Sequence, residues 1–243
     1  MNQIFFQCRE CGLLIRGNIN LENIDEQYKT GWESPALHLQ QTGATDSNLS
    51  SSFTKLLLKS LNLKNFQNKK ILDFGAGRGI MANALRDAGA DVTCVEPYGV
   101  DLLRQAGFRV YESLKDLPAE TKFDGIVCLD VVEHLFNPWS DLTQIRKYLA
   151  VLGWLYISTL NSSSLNSTLY GINWRERKNP GHIYLFNSEN LFRTLKFAGF
   201  QNIKKLKWRI LYHQNWLYQL KDYILLQSGW DGELRFLAFR GRE

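Results

Sequence analysis

The run Ile71-Leu72-Asp73-Phe74-Gly75-Ala76-Gly77-Arg78-Gly79 leaves the chain few folds to choose from. An apolar stretch ending in an acid, then glycines at alternate positions, reads as a buried strand, a tight loop and a helix opening near Arg78. Gly75, Gly77 and Gly79 let the backbone turn sharply and let a ligand lie directly against it. The amides that open the helix add hydrogen-bond donors and partial positive charge, which suit a carboxylate or a phosphate. Such a unit holds a small anionic or zwitterionic molecule.

The spacing narrows the choice of molecule. A nicotinamide dinucleotide site uses G-x-G-x-x-G and meets its acid only after the next strand. Here the spacing is G-x-G-x-G, and Asp73 already stands at the approach to the loop. Asp73 would repel a pyrophosphate and suit an ammonium group. The next strand, Asp91 to Glu96, ends in a second acid placed to accept both hydroxyls of a ribose. Ammonium, carboxylate and ribose together point to S-adenosylmethionine, with S-adenosylhomocysteine as its demethylated form.

The rest of the chain repeats the strand-then-helix pattern. Phe123 to Asp130 is another strand with an acid at its carboxyl end, and Leu149 is read as a helix end running through Gly153 into the strand Trp154 to Ser158. The alternation from Lys69 to about Thr159 predicts an α/β, Rossmann-like doubly wound sheet of about seven strands. It is mostly parallel with an antiparallel last strand (Glu233 to Phe239) and helices on both faces. A strand is expected near Ile203 to Leu211 and an inserted helix over Asn215 to Gln227. Asp46-Ser47 offers a cap for a helix running through Leu56 to Leu63. Residues 1–45 form an N-terminal extension with a hairpin at Cys8 and Cys11, then Tyr28, Trp32 and His38; residues 46–243 form the main domain.

These pieces resemble the class I S-adenosylmethionine-dependent methyltransferases. They look most like the branch of ubiquinone-biosynthesis O-methyltransferases and the methyltransferases of surface-glycan gene clusters. The matching segments are Asp73 to Gly79, Glu96, Phe123-Asp124, Val132-Glu133-His134-Leu135 with Asn137-Pro138, and His182 to Phe186 ahead of Ser188. The resemblance implies cofactor contacts from Asp73, Phe74, Gly75, Ala76, Gly77 and Gly79 at the methionine end. It implies Glu96, Pro97 and Tyr98 around the ribose and adenosine, with Asp130 and Val131 near the sulfonium. Glu112 or Ser113 would meet the adenine or simply pack at the edge. It also implies that the extension folds over the mouth of the site.

Methyl transfer asks the protein to align an acceptor and exclude water, and a base matters most when the acceptor is an alcohol. His134 and His182 are the candidate bases; a histidine in a Glu-His-Leu run is equally suited to tying down its own loop. Trp174, Arg175, Arg177 and Lys178 offer a stacking platform and cations for an anionic acceptor such as a nucleotide-linked sugar, or else form a solvated basic loop. The stripe Trp216, Leu217, Leu220, Tyr223 and Ile224 suits core, a lid or a homodimer contact.

The predicted activity is methyl transfer to a small molecule, with oxygen of a sugar or related metabolite as the acceptor atom. A nucleic-acid methyltransferase is disfavoured: Asp130-Val131-Val132 lacks the Asn/Asp-Pro-Pro-aromatic grip on an amino nitrogen, and the net charge of +5 forms no basic stripe. A binding protein retaining the fold is the alternative outside enzymology. No apolar run approaches the ~18 residues of a membrane span, and the start lacks a secretion signal, so a cytoplasmic location is expected. Of the four cysteines, Cys94 and Cys128 sit in apolar strands as core residues. Cys8-Arg9-Glu10-Cys11-Gly12 is half of a zinc-ribbon site; four ligands close such a site, only His38 is near, and the pair reads as a metal-free remnant.

Overall fold

The computed structural model describes residues 4–19, 26, 46–208 and 216–242. Tyr28, Trp32 and His38, and the far end of the strand expected to reach Leu211, lie outside the described residues. The chain opens with a hairpin, β1 (Phe5–Gln7) and β2 (Leu14–Arg16), and the long helix α1 (Asp46–Leu61) follows. Next come β3 (Lys70–Phe74), α2 (Ile80–Asp87), β4 (Asp91–Val95), α3 (Val100–Gln105), β5 (Arg109–Tyr111) and β6 (Phe123–Leu129). The second half holds α4 (Pro138–Tyr148), β7 (Leu149–Leu160), α5 (Leu165–Tyr170), α6 (Arg175–Lys178) and β8 (Tyr184–Leu185). It finishes with α7 (Ser188–Phe197), β9 (Gln201–Lys205), α8 (Trp216–Ser228) and β10 (Glu233–Phe239).

Seven strands form the main sheet in the order β5-β4-β3-β6-β7-β10-β9. The first five pair in parallel, and β10 runs antiparallel between β7 and β9. Parallel strands covered on both faces read as unbroken apolar runs, which is why β3 and β4 bury every residue after the first. Side chains alternate between two cores. Leu72 and Phe74 join Leu142 and Ile145 of α4 and Leu191 and Leu195 of α7, whereas Ile71 joins Leu57 of α1, Leu85 of α2 and Leu103 of α3. Helices therefore cover both faces. Asn137 starts α4 by accepting the Ser140 N–H at 3.1 Å, with Pro138 fixing the first helical φ.

One detail departs from the sequence reading, and another removes one of its alternatives, the α8 stripe as core. Leu149 is already strand, because β7 pairs with Phe123 and then resumes at Gly125 after a register shift, with Leu152 at a φ of 63°. The strand was disguised by that bulge. The stripe Trp216, Leu217, Leu220, Tyr223 and Ile224 on α8 faces outward, while Asp222 and Leu226 face the body.

The chain reverses its winding between β3 and β6: β4 and β5 lie to one side, β7 and β10 to the other. In open α/β sheets the ligand crevice lies at that point, outside the carboxyl ends of the strands. A second sheet, β1-β2-β8, reaches the same end of the molecule by pairing Ile15 with Tyr184 and Leu14 with Leu185.

Candidate active site

The loop after β3 carries three glycines in the left-handed region. A Cβ on Gly75 would sit 2.2 Å from Val131 Cγ2, so Val131 is packed directly against the turn. At Gly77 nothing lies within 4 Å of that position, which leaves the backbone open on the crevice side. Gly79 caps α2 with no side chain of its own. Glu96, at the end of β4, reaches back and ties the loop: Oε2 accepts the Gly77 N–H at 2.8 Å and Oε1 the Tyr98 N–H at 3.0 Å.

Asp73 is 2% exposed, and its Oδ2 has no hydrogen-bond partner. Burial, and then the Glu96 charge, push its carboxyl up to about 7. An unpartnered buried carboxylate beside an open glycine is a cradle for a cation. Phe74 and Ala76 are buried in the loop walls, Pro97 is exposed and Tyr98 half-buried at its rim. Ser113 is spent locally: its hydroxyl accepts the Lys115 N–H and faces Asp116 in a capping box, while Glu112 is exposed.

The other wall comes from β6, β7 and β10. Asp130 follows β6 with a φ of 52°, and its N–H bonds to Ser158 O at 3.1 Å. Solvent reaches Asp130, yet protein packs around it on most sides; that loss of water, and then the charge of Glu233, raise its carboxyl to about 7. Register places Leu129 beside Ser158, and Ser158 beside Arg235. Arg235 is buried and bonds Asp231 Oδ2 at 2.8 Å and Glu233 Oε2 at 2.6 Å. Glu133 is 1% exposed; its Oε2 accepts from Thr159 Oγ1 at 2.8 Å, its Oε1 has no partner, and burial drives its carboxyl well above the ordinary range.

His134 and His182 are brought together, with ring centroids 4.8 Å apart. His134 Nδ1 bonds Gly181 O at 2.7 Å, so that nitrogen carries the proton and Nε2 keeps the lone pair. His182 Nδ1 bonds Glu176 O at 2.8 Å and its Nε2 meets Asn179 Nδ2 at 3.0 Å, so both nitrogens are engaged. Burial lowers both imidazoles to about 4. Together with Glu133 they place one carboxylate and two ring nitrogens within 4.8 Å of one another, a donor set that hydrogen bonding or a cation can use. Arg16 of the extension braces this loop from behind, donating to His182 O, Arg177 O and Asn179 O.

Trp174 is buried at 5% exposure in a small cluster with Leu14 and Leu185, so it is no stacking platform. Arg175 pairs with Glu176. The readings from residue types alone also passed over Glu133, Ser158, Thr159, Glu176, Asp231, Glu233 and Arg235. The signal for Glu133 was its place beside His134 in an otherwise apolar turn; for Glu233 and Arg235 it was charge alternating with apolar residues along β10.

Comparison with known proteins settles the family. A sequence profile described as a methyltransferase domain matches residues 46–205. The chain belongs to the methyltransferase domain family. Within it, the chain is similar to the ubiquinone biosynthesis O-methyltransferase of Thiobacillus denitrificans, at 32% identity over 40% of this chain and 46% of that protein. The Chromobacterium violaceum ubiquinone biosynthesis O-methyltransferase is 33% identical over 54% of this chain and 64% of its own length. The matches thus span about half the length of these curated relatives.

Solved methyltransferases share the fold. A Thermotoga maritima S-adenosylmethionine-dependent enzyme, described as a possible histamine N-methyltransferase, superposes with a TM-score of 0.58 at 17% identity, covering 90% of this chain and all of that one. The Burkholderia thailandensis 1,6-didemethyltoxoflavin-N1-methyltransferase, solved with S-adenosylhomocysteine, gives 0.58 at 15% identity over all of both chains. The methyltransferase sheet, with its reversal between β3 and β6, is therefore what this chain shares with them.

Proposed function

We propose that this methyltransferase-family chain binds S-adenosylmethionine in the crevice between β3 and β6 and methylates an oxygen of a small molecule. The observation that carries the reading is Asp73, a buried carboxylate with a free oxygen beside the open Gly77. The ligand's ammonium group satisfies that oxygen, its carboxylate meets the amides at the start of α2, and Glu96 takes the ribose hydroxyls. Bound there, the cofactor supplies a methyl group on a sulfonium. Similarity to the ubiquinone biosynthesis enzymes supports oxygen as the acceptor atom.

The chain's own work is to orient the acceptor and take its proton. His134 is the base in this reading, because its Nδ1–H is held by Gly181 O and its Nε2 carries the lone pair. An imidazole with a pKa of about 4 is already unprotonated at neutral pH, at the cost of basicity. His182, engaged at both nitrogens, is a strut for that loop. A hydroxyl-rich acceptor, such as a sugar or related metabolite, suits a crevice edged by Asp130, Glu133, Glu176 and Glu233 better than an anion does. The buried Trp174 withdraws the main support for a nucleotide-linked acceptor.

Calorimetric titration with S-adenosylmethionine and S-adenosylhomocysteine tests the assignment, with NAD as control. Micromolar binding of both, and none of NAD, is expected. Binding of NAD alone would sink the reading.

A further inference from the structure

The hairpin turn Cys8 to Leu13 serves nothing in the crevice, yet it is built with care. Cys8 N–H bonds Leu13 O at 2.8 Å, and Gly12 N–H bonds Cys8 O at 2.9 Å. Gly12 takes a φ of 74°, which closes the turn and puts the two cysteines side by side. Both thiols are free and half-buried. The backbone N–H groups of Glu10 and Cys11 are directed at the Cys8 sulfur, and that of Leu13 at the Cys11 sulfur. Asn187 Nδ2 pins Cys11 O at 3.3 Å, fixing the turn to the start of α7. Amides aimed at a sulfur are the donors that a metal-bound sulfur accepts, and the turn presents them to both cysteines.

Two thiolates fill only half of a tetrahedral site. Cys94 and Cys128 are wholly buried in β4 and β6, and among the described residues the one cluster of three or more ligand groups is Glu133, His134 and His182, in the other site. The surface around the turn is unfinished in a way that fits a second copy. Among the described residues β1 is the edge strand of its sheet, Phe6 within it and Ile4 beside it are 63% and 50% exposed, and Phe197, lining a cleft of about 670 Å³ with Cys11, is 75% exposed. Arg193 lines the same cleft, and Arg9 lies within the turn. A two-fold contact brings the same patch from each copy together, so a pair of half-sites meets on the axis.

We propose that Cys8 and Cys11 are half of a zinc site completed by the same two cysteines of a second copy, making the metal the clasp of a homodimer. Each zinc displaces the four thiol protons and leaves a site of net charge −2, offset by Arg9 and Arg193 from both copies.

The experiment is metal analysis and light scattering on the full chain, purified without chelator and then treated with EDTA and re-titrated with zinc alone. One zinc per two chains is expected, with twice the monomer mass, and with monomer in chelator. Cys8→Ser should lose the metal and the dimer while keeping the circular dichroism of the main domain. Cobalt substitution of the wild-type chain gives a check independent of that variant, because four thiolates impose an intense sulfur-to-metal charge-transfer band. One zinc per monomer, no zinc uptake, or a dimer that survives the chelator each overturns the proposal.

Discussion

Cofactor binding should weaken as pH falls, and Asp73 sets the amount. Its carboxyl is raised to about 7 by burial and by Glu96. An ammonium ligand needs it ionised. Half of it is ionised near pH 7 and only about 3% at pH 5.5, so affinity for S-adenosylmethionine should fall about 15-fold over that interval, ~1.6 kcal/mol. The ligand's own amine, with an ordinary pKa near ~7.8, is almost fully protonated throughout and changes the factor little. Calorimetry in buffers of different ionisation enthalpy should also show proton release on binding. Asp130, also raised to about 7, titrates in the same range, so Asp73→Asn is the control. That variant should bind ~1.5–3 kcal/mol more weakly at pH 8 through loss of a charged hydrogen bond, and its pH profile should lose the Asp73 share of the slope. The stability sign runs the other way. A carboxyl whose folded pKa lies above its unfolded value favours the fold below about 3.8, and that advantage is lost as pH rises through 7. Ionised Asp73 therefore costs the ligand-free fold on the order of 4 kcal/mol at pH 8, and Asp73→Asn should raise the melting temperature there. A wild-type affinity that is flat between pH 7 and pH 5.5 would refute the reasoning.

Other changes separate the remaining roles. Glu96→Ala should weaken cofactor binding by ~1–3 kcal/mol, since it removes the ribose acceptor together with the brace on Gly77 and Tyr98; titration of the folded variant checks it. Gly75→Ala forces a Cβ against Val131 at a φ of 77° and should cost ~1–3 kcal/mol in urea unfolding. His134→Ala should lower turnover by ~10²-fold or more with cofactor affinity intact, whereas His182→Ala should lower the melting temperature by loosening the loop from Asn179 to Gly181; equal effects of the two would defeat the division of labour. The lowered histidine pKa values mean the unfolded chain takes up protons first as pH falls from about 6.5 to about 4, so these two groups destabilise the fold in that window, and the double alanine variant should flatten that part of the stability profile.

The sheet was legible because its strands bury both faces. The runs Ile71 to Phe74 and Val92 to Val95 carry their own signature, and the antiparallel Glu233 to Phe239 was found to the residue. The start of β7 was not, since a bulge with Leu152 at positive φ breaks the periodicity on which strand reading depends. The pairing of β2 with β8 was also out of reach. It joins residues about 170 positions apart through two Cα pairs, so the hairpin at Cys8 and Cys11 was legible but the two-residue strand Tyr184–Leu185 that completes its sheet was not.

The site divides along the same physical line. Asp73, Gly75, Gly77 and Glu96 sit in contiguous motifs whose spacing is itself the geometry, so the cradle could be read in one dimension. The opposite wall is assembled by register: Leu129 beside Ser158 beside Arg235 is a row across three strands drawn from distant parts of the chain. Only pairing reveals that the charge of Glu233 acts on Asp130, and the charges of Asp130 and Glu233 on Glu133, raising the carboxyls of Asp130 and Glu133 beyond what burial does. The sequence gives Glu233 the ordinary surface reading of an acid, whereas Asp130 was assigned to the site through its resemblance and Glu133 only as part of a matching motif. The fold makes such acids expensive, leaving Glu133 Oε1 and Asp73 Oδ2 buried without partners. A protein retaining this fold only as a scaffold has no reason to keep both orphan carboxylates, because replacing each by its amide would remove the like-charge repulsion at no loss of packing. The orphan oxygen of Asp73 beside the open Gly77 argues for a ligand with positive charge there, as an ammonium group provides.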